Sequence, residues 1–229
     1  MFTNKLERTI IRKSSTVLVF EELREAILTG KFKPGEKINQ IEIADALNVS
    51  RTPVREAIYK LEERGFVKIN PHYGVEVMSL DASSIWEIYL IRARLETLAV
   101  REATKNMDSE HLLRIRNVLD QAHKIIDSGP KEAYIELSRQ LHSIAYEASG
   151  MPMLVKLINN LRDRCEMFRY RHLQLYDRYL EANKEHEHIY EALSSGNSDE
   201  AEYWVERNLL NSAKALLEAI KSNETIVSK

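Results

Sequence analysis

The chain has 229 residues, 44% hydrophobic and 30% charged, with a formal net charge of −2. That length allows one or two domains with a sizeable core, and the composition is ordinary for a globular protein. No apolar run approaches the ~20 residues that span a bilayer, and the N-terminus lacks a signal-peptide core. The lone Cys165 cannot form an intrachain disulfide, so a cytoplasmic protein without a membrane partner is expected.

Charge is divided unevenly. Residues 1–80 carry 13 Lys and Arg against 11 Asp and Glu, and the remainder carries 20 against 24. Only the N-terminal part is basic, and only mildly. Nucleic-acid binding there would rest on a few well-placed cations and on dimerisation.

In chain order, Val19 to Leu28 reads as an amphipathic helix ending at Gly30, followed by the turn Lys33-Pro34-Gly35-Glu36. Next come two short helices joined by a tight turn. Ile43, Ala44 and Leu47 form the apolar stripe of one, and Val54, Ala57, Ile58 and Leu61 that of the other. Asn48 falls where the chain must turn left-handed, Ser50 is a suitable N-cap, and Pro53 lies within the first turn. Arg51, Thr52 and Arg55 remain outward at the start of the second helix. Two guanidiniums and a hydroxyl on one N-terminal face suit phosphate contact and guanine readout in a major groove. Gly65 stops this helix. Phe66 to Ile69 and Val75 to Val77 then alternate as two short strands around Pro71-His72-Tyr73-Gly74. Helices followed by a β-ribbon predict a winged helix-turn-helix over residues 1–80, its wing tip from His72 to Gly74 reaching a minor groove or the backbone.

From Asp81 the period becomes 3.6. Helices are predicted from Asp81 or Ser84 to about Thr104, with Ile85, Ile88, Leu95 and Leu98 apolar, and from Asp108 or Ser109 to about Asp127. Others run from Lys131 to Ala148, from Pro152 towards Leu175, from Arg178 to Leu193, and from Ser198 or Asp199 to about Lys221. Short loops between helices of this length imply an all-α bundle over residues 81–229, making the fold class mainly α. His186-Glu187 is no zinc-protease motif, because Tyr190 stands where the second histidine would be. No Ser/His/Asp or Cys/His arrangement can be assembled either, so no enzyme is expected. A helical hydrolase using His142 and His186, and an architectural DNA-binding protein without effector, are the alternatives from other classes.

The run Thr29 to Ile38, then Ile43-Ala44, Val49 to Ile58 and Leu61-Glu62, resembles the GntR superfamily of bacterial transcription regulators over roughly residues 15 to 78. The resemblance implies DNA contact by Arg51, Thr52 and Arg55, with Gly74 at the wing; Ser50 at the helix start and His72 at the wing tip join them as candidate DNA contacts. Some FadR-like members have a DNA-contacting arginine in the preceding helix; Ile41 stands there in this chain. The second domain is similar to the FCD effector domain of the FadR branch, through Ile91 to Glu96, Leu141-His142, His186 to Leu193 and Asn208-Leu209.

That resemblance implies a homodimer on a palindromic operator, most readily a repressor, with an effector cavity that in many members holds a divalent metal on one aspartate and three histidines. Two of the four ligands are replaced, the aspartate by Ser138 and one histidine by Asn208, leaving His142 and His186. Three arrangements are open: a zinc or nickel ion on His142 and His186, as in a metal-dependent sensor; a metal-free polar cavity binding the effector directly; or two histidines satisfied in a helical core. In the second, no cofactor is required, and a small organic acid or related metabolite sits among Arg92, Ser138, His142, His186 and Asn208. Arg92 either clamps a carboxylate or pairs with a Glu of a neighbouring helix. Of the basic run Arg162, Arg164, Arg169 and Arg171, Arg162 has a route into the pocket.

Overall fold

A computed structural model describes residues 14–171 and 178–227. The chain separates into two units, one ending at Met78 and the other beginning at Ser79. The first holds α1 (Ser15–Leu28), β1 (Lys37–Ile38), α2 (Gln40–Ala46), α3 (Arg51–Glu63), β2 (Val67–Asn70) and β3 (Gly74–Val77).

Local chemistry sets these boundaries. The Ser14 hydroxyl accepts from the Val17 N–H at the start of α1, and the Asn39 side chain accepts from the Ile41 N–H at 3.0 Å at the start of α2. Asn48 takes φ 51° in the turn, and the Val49 N–H closes on the Ala44 carbonyl at 3.0 Å. Val54, Ala57, Ile58 and Leu61 recur at helical spacing, so they share one face of α3 and are fully buried. That face packs on α1, where Val19, Leu23 and Ile27 are equally buried. At about 1.5–3 kcal/mol for each large apolar side chain, this seam is the main stabiliser of the small unit.

Two expectations need correction. Ser50 occupies the N-cap position of α3 with extended backbone, but its hydroxyl makes no capping bond. Leu47, expected on the apolar stripe of α2, is instead its C-cap residue, past the last helical turn, and is exposed; Ala44 is the fully buried residue of that helix. The sheet is antiparallel in the order β1-β3-β2. β1 escaped prediction because two residues, Lys37 and Ile38 opposite Glu76 and Val75, are too short to show alternation.

The second unit comprises α4 (Ala82–Asn106), α5 (Ser109–Ser128), α6 (Lys131–Glu147), α7 (Pro152–Arg171), α8 (Tyr179–Ser194) and α9 (Ser198–Val227). Asp81 and Asp108 cap α4 and α5, accepting from the N–H of Ser84 at 2.7 Å and of His111 at 2.8 Å. The predicted extension of the fourth helix towards Leu175 lies outside the described residues. α4 packs most extensively on α9 and also touches α6 and α7, while α5 packs on α6 and α8. Ala99, Ala103, Ala201 and Ala213 are fully buried and let α4 and α9 approach closely. Leu98, read with Ile85, Ile88 and Leu95 among the apolar positions of this helix, is 43% exposed and lies on the outer face of α4 with Leu90 and Ile91. Among the described residues no helix is long and apolar enough to cross a membrane.

Candidate nucleic-acid interface and effector cavity

α3 sorts its charges by face. Thr16 of α1 donates to the Glu56 carboxylate at 2.7 Å, and the Ile69 N–H of β2 donates to Glu62 at 2.8 Å. These two acids therefore tie the helix to its own scaffold. Arg24 over Phe66 and Arg64 over Phe20 fasten α1 to the far end of α3 and the start of the hairpin. Ser50, Arg51, Thr52 and Arg55 are left exposed at the N-terminus of α3. Neither arginine makes a side-chain hydrogen bond or ion pair among the described residues. Backbone N–H groups at a helix start and two uncommitted guanidiniums are donors that phosphates and base edges could accept from.

The hairpin places the other two expected residues. Asn70 pairs with Gly74, leaving Pro71, His72 and Tyr73 as the turn. His72 and Gly74 both lie in the left-handed region, at φ 68° and 91°. A Cβ on Gly74 would meet nothing within 4 Å, so glycine is required by backbone conformation and not by crowding. Tyr73, 76% exposed at the tip, and Tyr59, 57% exposed one turn beyond Arg55, extend this surface. Tyr73 was expected within the wing tip, whereas Tyr59 had no expected role, although an exposed aromatic beside arginines was the available signal.

In the helical unit, Arg92, Ser138, His142, His186 and Asn208 all line one cavity, with Tyr89, Tyr134, Arg162, Arg169 and Ser212 completing its polar wall. The cavity encloses about 20 Å³ accessible to the centre of a water molecule, which is room for one or two waters. Arg92 Nε donates to Glu96 Oε1 at 2.7 Å, and its guanidinium lies 4.8 Å from the centre of the Tyr89 ring. The partner expected on a neighbouring helix is thus four residues along α4 itself. Burial opposes the Arg92 charge, but Glu96 outweighs it and raises the pKa. The Tyr146 hydroxyl donates to Glu96 Oε2 at 2.6 Å, so toward His142 Nδ1, 3.0 Å away, it can only accept. Nδ1 of His142 therefore carries the hydrogen. Burial, seconded by Glu96, pushes the Tyr146 pKa well above its usual value.

His186 lies edge-on to His142, with ring centres 5.1 Å apart, and its Nδ1 is 3.3 Å from the Tyr134 hydroxyl. Burial and then the Arg162 charge hold the His142 pKa well below normal; burial and then His142 do the same to His186. Both rings are neutral at pH 7. Asn208 donates to Glu185 Oε2 at 2.8 Å, and the same carboxylate binds Arg178 and Asn211. Glu185 thus orients Asn208 without facing it into a metal shell.

These residues do not fit a divalent ion. The donors are two neutral imidazoles, an amide and a hydroxyl, with no free carboxylate to supply anionic charge. The guanidiniums of Arg92, Arg162 and Arg169 on the same wall repel a cation. Among the described residues no group of three or more His, Cys, Asp or Glu is arranged to hold a metal. Cys165, buried on α7 with its thiol pKa pushed up to about 11 by burial, is a packed side chain and no reactive thiolate.

Comparison with known proteins agrees with both units. Residues 16–77 match the gntR family of bacterial regulatory proteins, and residues 87–211 match the FCD domain. The uncharacterized HTH-type transcriptional regulator YdhC of Bacillus subtilis is 32% identical over 81% of this chain and 84% of its own. The HTH-type transcriptional repressor RspR of Escherichia coli is 24% identical over 90% of each chain. The solved structure of E. coli McbR/YncC superposes with a TM-score of 0.79 at 23% identity, covering 90% of this chain and 99% of that one. The relatives are regulators of transcription and not enzymes. The chain belongs to the GntR family of bacterial transcription regulators and carries an FCD domain.

Proposed function

We propose that this chain is a cytoplasmic, ligand-responsive repressor that binds a palindromic operator as a homodimer and releases it when a small organic acid enters the helical cavity. The observation that carries the DNA reading is the first turn of α3, where Arg51 and Arg55 are exposed and uncommitted while Glu56 and Glu62 are tied away. Arg51 and Arg55 serve as base and phosphate contacts, Thr52 and the uncapped Ser50 hydroxyl as phosphate donors. His72 and Gly74 carry the wing to the backbone or minor groove.

A single winged helix covers too little DNA for high specificity, and a two-fold pair doubles the contacts. The exposed apolar side chains of α4 (Leu90, Ile91, Leu98) and of α7 (Met153, Leu157) support the pairing of helical domains. In the cavity, Arg92, Ser138, His142, His186 and Asn208 receive the acid. Acid and operator affinities are reciprocally coupled, because whatever weakens one when the other binds must act equally in both directions.

Arg55→Ala is the direct test, on an operator selected from random DNA by the wild-type protein. A bidentate Arg–guanine contact contributes about 1–3 kcal/mol and occurs twice in a dimer, so specific affinity should fall at least tenfold. Lys60→Ala, further along α3, should change it far less. Equal gel-shift affinity for Arg55→Ala and wild type would remove this helix from the groove.

A further inference from the structure

Taking the cavity as the effector site, as proposed above, we propose that the effector's carboxylate docks directly on the guanidinium of Arg162, which supplies the positive charge a metal ion would otherwise provide.

Arg162 is 7% exposed, and its Nη1 has no hydrogen-bond partner. Each acid around it is already engaged. On its own helix, Asp163 and Glu166 are both taken by Arg139 of α6, at 2.9 and 2.6 Å. Across the cavity, Glu96 holds Arg92 and Tyr146, and Glu185 holds Arg178, Asn208 and Asn211. Two neutral imidazoles supply no compensating charge. Glu96, the acid whose charge reaches Arg162, is already engaged by Arg92 and Tyr146, so two guanidiniums share one carboxylate and Nη1 stays unfilled. A buried donor left open in this way is costly, and such groups collect where a ligand completes the shell. Its pKa is lowered by burial, with Glu96 opposing and Arg92 adding to the shift.

A second orphan faces the same space. Nε2 of His186 is buried and unpartnered. In the tautomer that takes the Tyr134 hydroxyl as donor to Nδ1, 3.3 Å away, Nε2 bears the hydrogen and offers a donor to the incoming anion. A carboxylate on Arg162 and His186 Nε2 would satisfy both orphans together. The available volume selects among anions: room for one or two waters accepts the two oxygens of a carboxylate more readily than the four of a phosphate. The ligand class is therefore a compact carboxylic acid, bound without metal.

The test uses the full chain dialysed against a chelator, with thermal unfolding followed during titration with formate, acetate, lactate and inorganic phosphate. At least one carboxylate should raise Tm saturably, by about 5 °C or more at a hundredfold excess over its Kd. Phosphate should act more weakly, and neither chelator nor added zinc or nickel should alter the response. Arg162→Gln should fold with an unchanged or higher Tm without acid, and bind the acid at least tenfold more weakly. Arg162→Lys, which keeps the charge but loses the fork, covers the case in which the Gln variant does not fold, and should also bind the acid more weakly. Arg114→Gln, which breaks a surface ion pair with Glu147 away from the cavity, should respond like wild type. Full acid affinity in both Arg162 variants, a response that requires metal, or no response to any of the three acids would overturn the proposal. The selected operator separates the two readings. Arg162→Gln that binds operator like wild type but ignores the acid supports both. Wild type that selects no DNA sequence refutes the regulator reading, whatever the acid does.

Discussion

Glu96→Gln tests the electrostatics of the helical unit most directly. The Glu96 side chain is fully buried, with one oxygen 2.7 Å from Arg92 Nε and the other accepting from Tyr146 at 2.6 Å. Glutamine keeps the shape and an acceptor but removes the charge. Arg92 and Arg162 are then left in one buried region without a facing anion. Removing one partner of a buried ion pair costs about 3–5 kcal/mol. The Tyr89 ring beneath Arg92 and the glutamine oxygen each recover a little, so we take the lower end, about 3 kcal/mol. For a chain of this size that corresponds to a Tm lowered by about 6–12 °C. Both tryptophans, Trp86 and Trp204, lie in the helical unit, so urea unfolding followed by tryptophan fluorescence reads that unit alone. Arg92→Met with Glu96→Gln should return part of the loss, because Arg92 no longer lies unpaired while Arg162 still lacks the Glu96 charge. A single variant within about 1 kcal/mol of wild type, or a double variant no more stable than the single, would refute the reasoning.

Three further outcomes are expected. Both cavity histidines have folded pKa values below their unfolded value of about 6.5, so the unfolded chain binds more protons there; their contribution is intact above pH 6.5 and is lost as pH falls below it. Urea midpoints at pH 7.5 and 5.5 measure this, and a His186→Gln variant with the full wild-type slope would contradict it. Ser138→Asp combined with Asn208→His adds an anionic oxygen and a third imidazole, and zinc titration should show affinity rising about a hundredfold over wild type; equal affinities would mean that donor chemistry is not what the cavity lacks. Ile91→Asp with Leu98→Asp places charge on the exposed face of α4, and sedimentation should show a dimer turned to monomer; an unchanged dimer would move the interface elsewhere.

The reading module was legible because its signals are local. Turn residues such as Asn48, Gly65 and Gly74 act within a few positions, and the apolar spacing of α3 needs one neighbour, α1, to be satisfied. Ser50 shows the limit of even a local rule: the residue type and extended backbone of a cap are present, yet the hydroxyl is unused. Leu98 shows another, since apolar periodicity marks a stripe but not which edge of it meets a second helix.

The cavity was half legible. Arg92, Ser138, His142, His186 and Asn208 come from four helices and converge as the family pattern implied, but their partners are decided by packing that no spacing rule contains. Glu96 wins Arg92 because it sits on the same face one turn along, ahead of any acid on another helix. The basic run on α7 divides by helical geometry: Arg162 and Arg169, seven residues apart, share the cavity face, while Arg164 is exposed. That spacing was visible in the sequence. What was not visible is that Arg139 reaches across from α6 and takes both Asp163 and Glu166, the acids that would otherwise neutralise Arg162 within its own helix. A charge counted along the chain looks balanced at this point; counted in space, it leaves one guanidinium over. Ser138 and Asn208, which on the family resemblance stand where an aspartate and a histidine are usual, then follow one physical logic. On the proposed reading, a cavity in which Arg92 and Arg162 share the carboxylate of Glu96 repels a further cation and is completed by an anion.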